Sequence, residues 1–497
     1  MATDDRYVVT FSEAECNEGK AATILDVQKK SVKDGYEILG FAEDVDESQT
    51  LHFEQLGTSV VTLDEEGVKR LEDDERVAEV VPDFEVEAHG DCGCGGSAGG
   101  NSGQDSVDVY APDNLDPFSA GYQQAINDLV AQLGSDGGGG ETELIEPTAH
   151  RCPPGQREIC FWIFGRRFCF CVPGGPPGPP TRPSPSPRQA IPWNIQMVRA
   201  NRVWHRVDGS GVDVAIVDTG IDNNHPDLSV AAGASFVPGV NDWDDDNGHG
   251  THCAGIAGAR NNSLGIVGVA PRCQLNAVKV LKHNPATGRA SGRLSWILAG
   301  MGWCVNNDMD VVSMSLGSCV TQAFAACTMA YQRAAERLIG NGCFVVSSAG
   351  NSGRCPDPPQ QGVCQAPGFD PCGPWVGRPA RCPGFMAVAA VDRSRNLADF
   401  SSRGPSGLCD DCGVEISAPG VRVNSTYIGG GYKELSGTSM ACPHVAGAAA
   451  LLKELHPTWT PGRIRGRLRT TADDLGVPGN DTGTGSGLLN CHRAVFG

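Results

Sequence analysis

Five short apolar, β-rich runs recur in the C-terminal half of the chain: DVAIVD (213–218), LNAVKVL (275–281), DVVSMSL (310–316), CFVVSSA (343–349) and FMAVAAV (385–391). Their polar positions do not alternate, which predicts strands buried on both faces. SGRLSWILAGMGWCVNN (291–307) and AFAACTMAYQRAAERLIGNG (323–342) lie between them and carry helical spacing. Buried strands separated by helices predict an α/β domain with a parallel sheet. In such sheets chemistry gathers at strand C-termini and helix N-termini. A further stretch, ELSGTSMACPHVAGAAALL (434–452), predicts a buried helix that begins near Ser439.

The rest of the chain divides by pattern. Residues 1–89 mix strand-like and helix-like segments (RYVVTF, AATILDVQKK, YEILGFA, SVVTLDEEGVKRLEDD, VAEVVPDFEVEAH), which predicts a small α+β domain. Residues 90–188 form a Gly/Pro-rich linker. Within it, RCPPGQREICFWIFGRRFCFCV (151–172) predicts a cysteine-rich hairpin with no function attached. Residues 189–497 make up the α/β domain.

Charge sharpens that division. The formal charge is −20, and residues 1–89 hold 24 acidic against 8 basic residues, net −16. An acidic module beside a nearly balanced body argues against nucleic acid as a partner. No apolar run reaches the length of a membrane span. The first residues, MATDDRYVVTF, lack the basic start and apolar core of a secretion signal. The 21 cysteines favour disulfides over metal, because CDDC (Cys409, Cys412) and CGC (Cys92, Cys94) stand alone without paired zinc spacing. Cys355, Cys364, Cys372 and Cys382 fall in one Pro/Gly-rich insertion that has little core and gains most from cross-links. Cysteine content favours an oxidising location; the compartment stays open.

Three stretches carry the chemistry. VAIVDTGIDNNHPDL ends a strand in Asp218, DNGHGTHCAGIAG starts a helix at His249, and SGTSMACPHVAG starts another at Ser439. A serine hydroxyl needs an adjacent base to become a nucleophile, and the base needs an acid to hold its tautomer. Each piece alone has a plain alternative: a turn aspartate, a metal-binding histidine in HGTH, a helix cap. Together, in the order Asp, His, Ser, they read as one site.

From about Gln189 to Gly497 the chain closely resembles the subtilisin-like serine peptidases, on VDTGID, HGTHCAG and GTSMACPHVAG. The resemblance implies a subtilisin-like three-layer α/β domain preceded by a propeptide-like α+β domain. It implies that Asp218 orients, His249 acts as base then acid, and Ser439 attacks. VVSSAGNSG matches the family's oxyanion motif, which makes Asn351 the side-chain donor. Ser315, Leu316 and Gly317, with Ser348, Ala349 and Gly350, look like the walls of the S1 pocket. Ser291 and Gly292 look like the S4 edge strand that pairs with an extended peptide. Leu294 and Trp296 stand beside it, as S4 lining or as core. Ser352 at the S1 rim is uncharged, which predicts no strong preference for a basic P1 residue.

The resemblance also implies a structural calcium ion held by Gln189, Asp227, Asn262 and the carbonyls of Arg260, Leu264 and Ile266, an all-oxygen set. It implies that the N-terminal domain is the enzyme's own inhibitor. Its tail would lie in the groove with Val86 at P4, Ala88 at P2 and His89 at P1, and self-cleavage would fall at His89–Gly90. The hundred-residue spacer before Gln189 departs from the family's pattern and leaves the mature N-terminus open. Cys253, one helical turn after His249, is expected behind the imidazole, as in the proteinase K-like branch; Cys442 follows Ser439 by three. The reading is an endopeptidase acting on proteins or peptides. Its alternatives are a dedicated processing peptidase and a silent peptide-binding protein.

Overall fold

The computed structural model describes residues 5–14, 16–35, 49–88, 156–163, 166–173, 189–285, 288–318, 327–353, 375–404 and 413–497. The chain separates into two compact units, 1–96 with 186–497, and 97–185. In the second unit, Gln156–Ile163 pairs antiparallel with Arg166–Pro173, and Cys160 stands opposite Cys169 in register.

The first unit is built on a seven-stranded, all-parallel sheet. Its spatial order is Val230–Ser235, Gln274–Lys279, Asp213–Asp218, Val311–Met314, Phe344–Ser348, Met386–Val391 and Ile416–Pro419. Successive residues of each central strand feed opposite layers. Val214 and Ile216 join the core beneath the helices His249–Gly258 and Thr438–Leu455. Ala215 and Val217 join the core beneath Leu294–Asn306 and Met329–Gly340. That alternation is why the strands carry no polar face.

The five predicted strands are present. The two outer strands went unpredicted: Val230–Ser235 is rich in alanine and half-exposed, and Ile416–Pro419 is only four residues long. The predicted helix 291–307 begins later, at Leu294, because Ala290–Arg293 is a strand of a separate small sheet.

Toward the N-terminus a five-stranded sheet runs in the order Val32–Asp34, Thr50–Phe53, Thr58–Leu63, Asp5–Phe11, Val77–Pro82, with helices Glu18–Leu25 and Glu65–Glu72. The stretch YEILGFA lies outside the described residues. One face of this sheet (Val9, Phe11, Val61, Leu63) packs on its own helices. The other (Val8, Leu51, Phe53, Val60) belongs to the same core as Leu294–Asn306 and Met329–Gly340. VAEVVPDFEVEAH, which reads as one run, breaks at Pro82–Asp83–Phe84 into two strands of different sheets.

Two acids at this break grip the larger domain. Asp83, buried, accepts from Ser295 N (2.9 Å) and Ser295 Oγ (2.7 Å), and Glu79 accepts from Met329 N (2.7 Å). Each carboxylate thus meets amides at a helix N-terminus, where donors are unsatisfied and the helix dipole is positive. Arg333 donates to the Ser12 and Glu13 carbonyls at 3.2 Å each, and Arg337 to the Gln55 carbonyl at 2.9 Å.

Among the described residues of the first unit one disulfide is present, and it differs from the expected cluster. Cys382 pairs with Cys327, outside the insertion, at 2.11 Å. Cys355, Cys364, Cys372, Cys409, Cys412, Cys92 and Cys94 lie outside the described residues. Cys16, Cys253, Cys273, Cys304, Cys343, Cys442 and Cys491 are free and buried, and burial pushes the Cys273 and Cys442 thiols up to about 12.

Hydrogen bonds to a charged acceptor contribute about 1.5–3 kcal/mol each. Asp83→Ala is expected to raise amide exchange at Ser295 and Leu294 by about tenfold or more, with exchange in the central sheet unchanged. Hydrogen-exchange mass spectrometry checks this, and unchanged protection at 294–295 would refute the capping role.

Candidate active site

Asp218 is the last residue of its strand, fully buried, and Thr219 N donates to its Oδ1 at 2.8 Å. The same oxygen accepts from His249 Nδ1 at 2.8 Å. A carboxylate only accepts, so Nδ1 carries the proton and Nε2 is left as the base. His249 Nε2 is buried and has no hydrogen-bond partner among the described residues.

Glycine makes this approach possible. A Cβ on Gly250 would stand 2.1 Å from the Gly220 carbonyl, and Gly220 itself holds a φ of +104° against the Trp243 carbonyl. The glycines of VDTGID and HGTH therefore let the turn after the strand touch the start of the histidine helix.

Sequence reasoning missed Asp245. Its Oδ1 accepts from Asn247 N, Gly248 N and Thr219 Oγ1, and its Oδ2 from Thr251 N and Thr251 Oγ1, at 2.6–2.9 Å. It closes the N-terminus of the histidine helix; an acid four residues before His249 in DDDNGHG was the available signal. Burial opposes a charged His249. The Asp218 charge, its hydrogen bond and the charge of Asp245 outweigh that, so the pKa of His249 is raised above its ordinary 6.5.

The second histidine of HGTH faces elsewhere. His252 Nε2 meets the carbonyls of Val423 (3.1 Å) and Lys433 (2.9 Å), and burial lowers its pKa to about 3. The two histidines of this motif therefore serve different partners. Among the described residues, the one group of His, Cys and acidic side chains within 4.8 Å of one another is Asp218, His249 and Cys253. The Cys253 thiol thus sits beside the imidazole, where it was expected.

Ser439 is the second residue of the helix Thr438–Leu455. Its Oγ donates to the Ser315 carbonyl at 3.1 Å. Pro443, four residues on, has no N–H to give the Ser439 carbonyl. That carbonyl is taken instead by Ser315 Oγ at 2.9 Å and Cys253 Sγ at 3.5 Å. A proline inside the helix therefore ties the serine turn to the strand end at Ser315 and to the histidine helix at Cys253. Cys442 faces the same strand, Val311–Met314, with Ser313 Oγ at 3.6 Å and the Met314 carbonyl at 3.8 Å.

Asn351 Oδ1 accepts from both Thr438 N and Thr438 Oγ1 at 2.9 Å, and Gly350 N donates to Thr438 Oγ1 at 3.1 Å. The carbonyl end of the amide is thereby held by the residue just before Ser439, which fixes its Nδ2 end as the donor.

The groove is already paired. Strand Glu85–Ala88 lies antiparallel between Ala290–Arg293 and Leu316–Gly317, with Val86 opposite Gly292, Glu87 opposite Ser291 and Gly317, and Ala88 opposite Leu316. Val86 and Ala88 are buried, as is Leu294, while Trp296 is half-buried against the same core. His89 and Gly90 lie outside the described residues. Ser348, Ala349 and Gly350 continue the neighbouring strand end Phe344–Ser348 and are buried. Ser352, also buried, donates its N–H to Ser402 Oγ at 3.1 Å.

The profile of the subtilase family matches residues 209–487. The chain belongs to that family. It is 44% identical over 308 residues to a thermostable alkaline protease of Halalkalibacterium halodurans, covering 62% of this chain and 74% of the relative. It is 41% identical over 309 residues to subtilisin E of Bacillus subtilis, covering 62% and 72%. It is 43% identical over 308 residues to subtilisin BL of Lederbergia lenta, covering 62% and 99%. Subtilases are serine endopeptidases, and this subtilase is a hydrolase of that kind.

A third cluster of residues in this subtilase converges through oxygen. Gln189 Nε2 lies 2.5 Å from the Arg260 carbonyl and 3.5 Å from Asn262 Oδ1, and also meets the Ile266 carbonyl. Its Oε1 accepts from Asn262 N at 2.8 Å. Asp227, fully buried, accepts from Asn262 Nδ2 (2.9 Å), Ile266 N (3.0 Å) and Tyr432 Oη (3.1 Å). Several oxygens crowded on one small group, with a buried carboxylate beside them, are chemically suited to a hard cation.

Because Asp245 helps raise the His249 pKa, Asp245→Asn is expected to move the acid limb of kcat/KM to lower pH. The sign follows from catalysis by the neutral ring: a lower pKa leaves more base at acid pH. The same change costs about 1–3 kcal/mol of stability through poorly satisfied donors. A pH–rate profile with a melting curve checks both, and an unmoved acid limb would remove Asp245 from the electrostatics of the base.

Proposed function

We propose that this endopeptidase cleaves peptide bonds through Asp218, His249 and Ser439, with Asn351 as oxyanion donor, and is made self-inhibited by residues 1–89. Ser439 Oγ attacks the scissile carbonyl as its proton passes to His249 Nε2. The new oxyanion is stabilised by Asn351 Nδ2 and the Ser439 N–H. His249 then gives its proton to the departing amine, and water, deprotonated by the same ring, releases the acyl group. Asp218 holds the ring's tautomer and stabilises the imidazolium. The Ser439 hydroxyl turned to the Ser315 carbonyl is the resting rotamer; rotation toward Nε2 precedes attack.

The observation that carries self-inhibition is the strand Glu85–Ala88 bonded along both groove edges, as an extended peptide would be. In this reading Ser291 and Gly292 bind the backbone, and Leu294 with Gly292 shapes S4 around Val86. Ser315, Leu316, Gly317, Ser348, Ala349 and Gly350 wall S1. Residues 90–188 tether the inhibitor domain to the peptidase domain, 189–497. The chain is expected to cut itself at His89–Gly90, and Ser439→Ala to stay full length; N-terminal sequencing of the cut chain decides. A fluorophosphonate is expected to label only the enzyme with Ser439. Asn351→Ala is expected to lower kcat by about 10²- to 10³-fold, a magnitude known from subtilisins themselves and not deduced from this geometry.

The converged oxygens support a calcium ion held by Gln189, Asp227, Asn262 and the carbonyls of Arg260, Leu264 and Ile266. Bound there, calcium would tie residue 189 to the loop after the histidine helix and stabilise the fold. Chelation is expected to lower Tm by about 5–10 °C relative to calcium at a hundredfold excess over its Kd. Magnesium should not restore it. A Tm indifferent to chelator would reject the site.

A further inference from the structure

We propose that Arg289 and Arg293 make the groove selective for peptides carrying acidic residues at P3 and P5. This rests on the reading that Glu85–Ala88 sits where substrate sits, with P1 at residue 89. Along that strand the side chains alternate: Val86 and Ala88 are buried, Glu85 is exposed and Glu87 half-exposed. Alternation is a property of any extended backbone, so a substrate in the same register presents P2 and P4 inward and P3 and P5 outward.

Both outward positions have an arginine as neighbour, one across the strand pairing and one within ion-pair reach. Glu85 stands directly opposite Arg293 in the antiparallel pairing, the arrangement in which cross-strand side chains interact most closely. The Arg293 guanidinium reaches along the tail, and its Nη1 donates to the Asp83 carbonyl at 3.1 Å. Glu87 Oε2 lies 4.0 Å from Arg289 Nη1. Arg289 belongs to the rim of a cavity of about 650 Å³ that continues past Ala88 and is also lined by His249, His283 and Lys433. The one carboxylate of that lining, Glu434, is paired with Arg422 at 2.6 Å. The rim that P3 faces is therefore cationic.

The contacts are partly exposed, so each is worth little alone and is weakened by salt. Selectivity arises from the difference between attraction and repulsion at the same point. A lysine at P3 faces Arg289 as a like charge where a glutamate is attracted.

The test uses the activated enzyme and peptides built on its own tail, Glu-Val-Glu-Ala-His-Gly, with Glu, Gln or Lys at P3 or at P5. The kcat/KM is expected to favour Glu over Lys at P3 by about three- to tenfold at low salt, shrinking toward unity at about 0.5 M salt. Arg289→Glu should reverse the order at P3 and keep it at P5; Arg293→Glu should do the opposite. Ratios within one enzyme do not depend on how much of a variant folds. Equal rates for Glu, Gln and Lys, or a P3 order untouched by Arg289→Glu, would overturn the inference while the protease reading stands. If none of the peptides is cleaved while an unrelated protein substrate is, the reading that residues 85–89 sit where substrate sits falls, and this inference with it.

Discussion

A buried carboxylate and a buried imidazole must meet at one oxygen, and the architecture around them follows from that demand. Burial alone disfavours the charged imidazole. It is tolerable here because Asp218 Oδ1 is also held by a backbone amide and because Asp245, satisfied by five donors, adds a second negative charge behind the ring. The contact requires a helix to press against the turn after a strand more closely than any Cβ allows, which Gly250 and Gly220 permit. The parallel sheet supplies the frame, since it brings strand C-termini and helix N-termini to one edge.

The Ser439 turn is held by a deficiency. Pro443 deprives the Ser439 carbonyl of its helical partner, and a buried carbonyl without a donor is costly. Ser315 Oγ and Cys253 Sγ fill the vacancy, which joins the serine helix to the strand end at Ser315 and to the histidine helix. The same economy of contact holds Asn351, whose amide oxygen is occupied by Thr438, the neighbour of Ser439. Three elements distant in sequence are thereby tied to one another around Ser439.

Open strand edges give the groove its second property. Ala290–Arg293 and Leu316–Gly317 offer backbone groups that must be paired by something extended. The chain's own residues 85–88 do so, while Asp83 and Glu79 anchor the approach at two helix N-termini. A strand held along both edges shows which side chains those edges accept, and along residues 85–88 buried Val86 and Ala88 alternate with outward glutamates.

Much of this was legible before the structure. VDTGID, HGTHCAG and GTSMACPHVAG pointed to Asp218, His249 and Ser439 as candidates, and five buried strands set the sheet, because unbroken apolar runs have one stable use in an α/β protein. The outer strands Val230–Ser235 and Ile416–Pro419 were not legible; one is alanine-rich and half-exposed, the other too short to show a period. Asp245 was hidden among acids that look like a solvated loop, and the partner of Cys382 lay outside the insertion that suggested it. The sequence by itself determined local preferences: which runs are buried, where helices begin, which residue types are present to react. Only the tertiary structure decided which distant groups share an oxygen, a carbonyl or a strand edge, because those choices depend on ångström-scale approach between backbones that no spacing along the chain encodes.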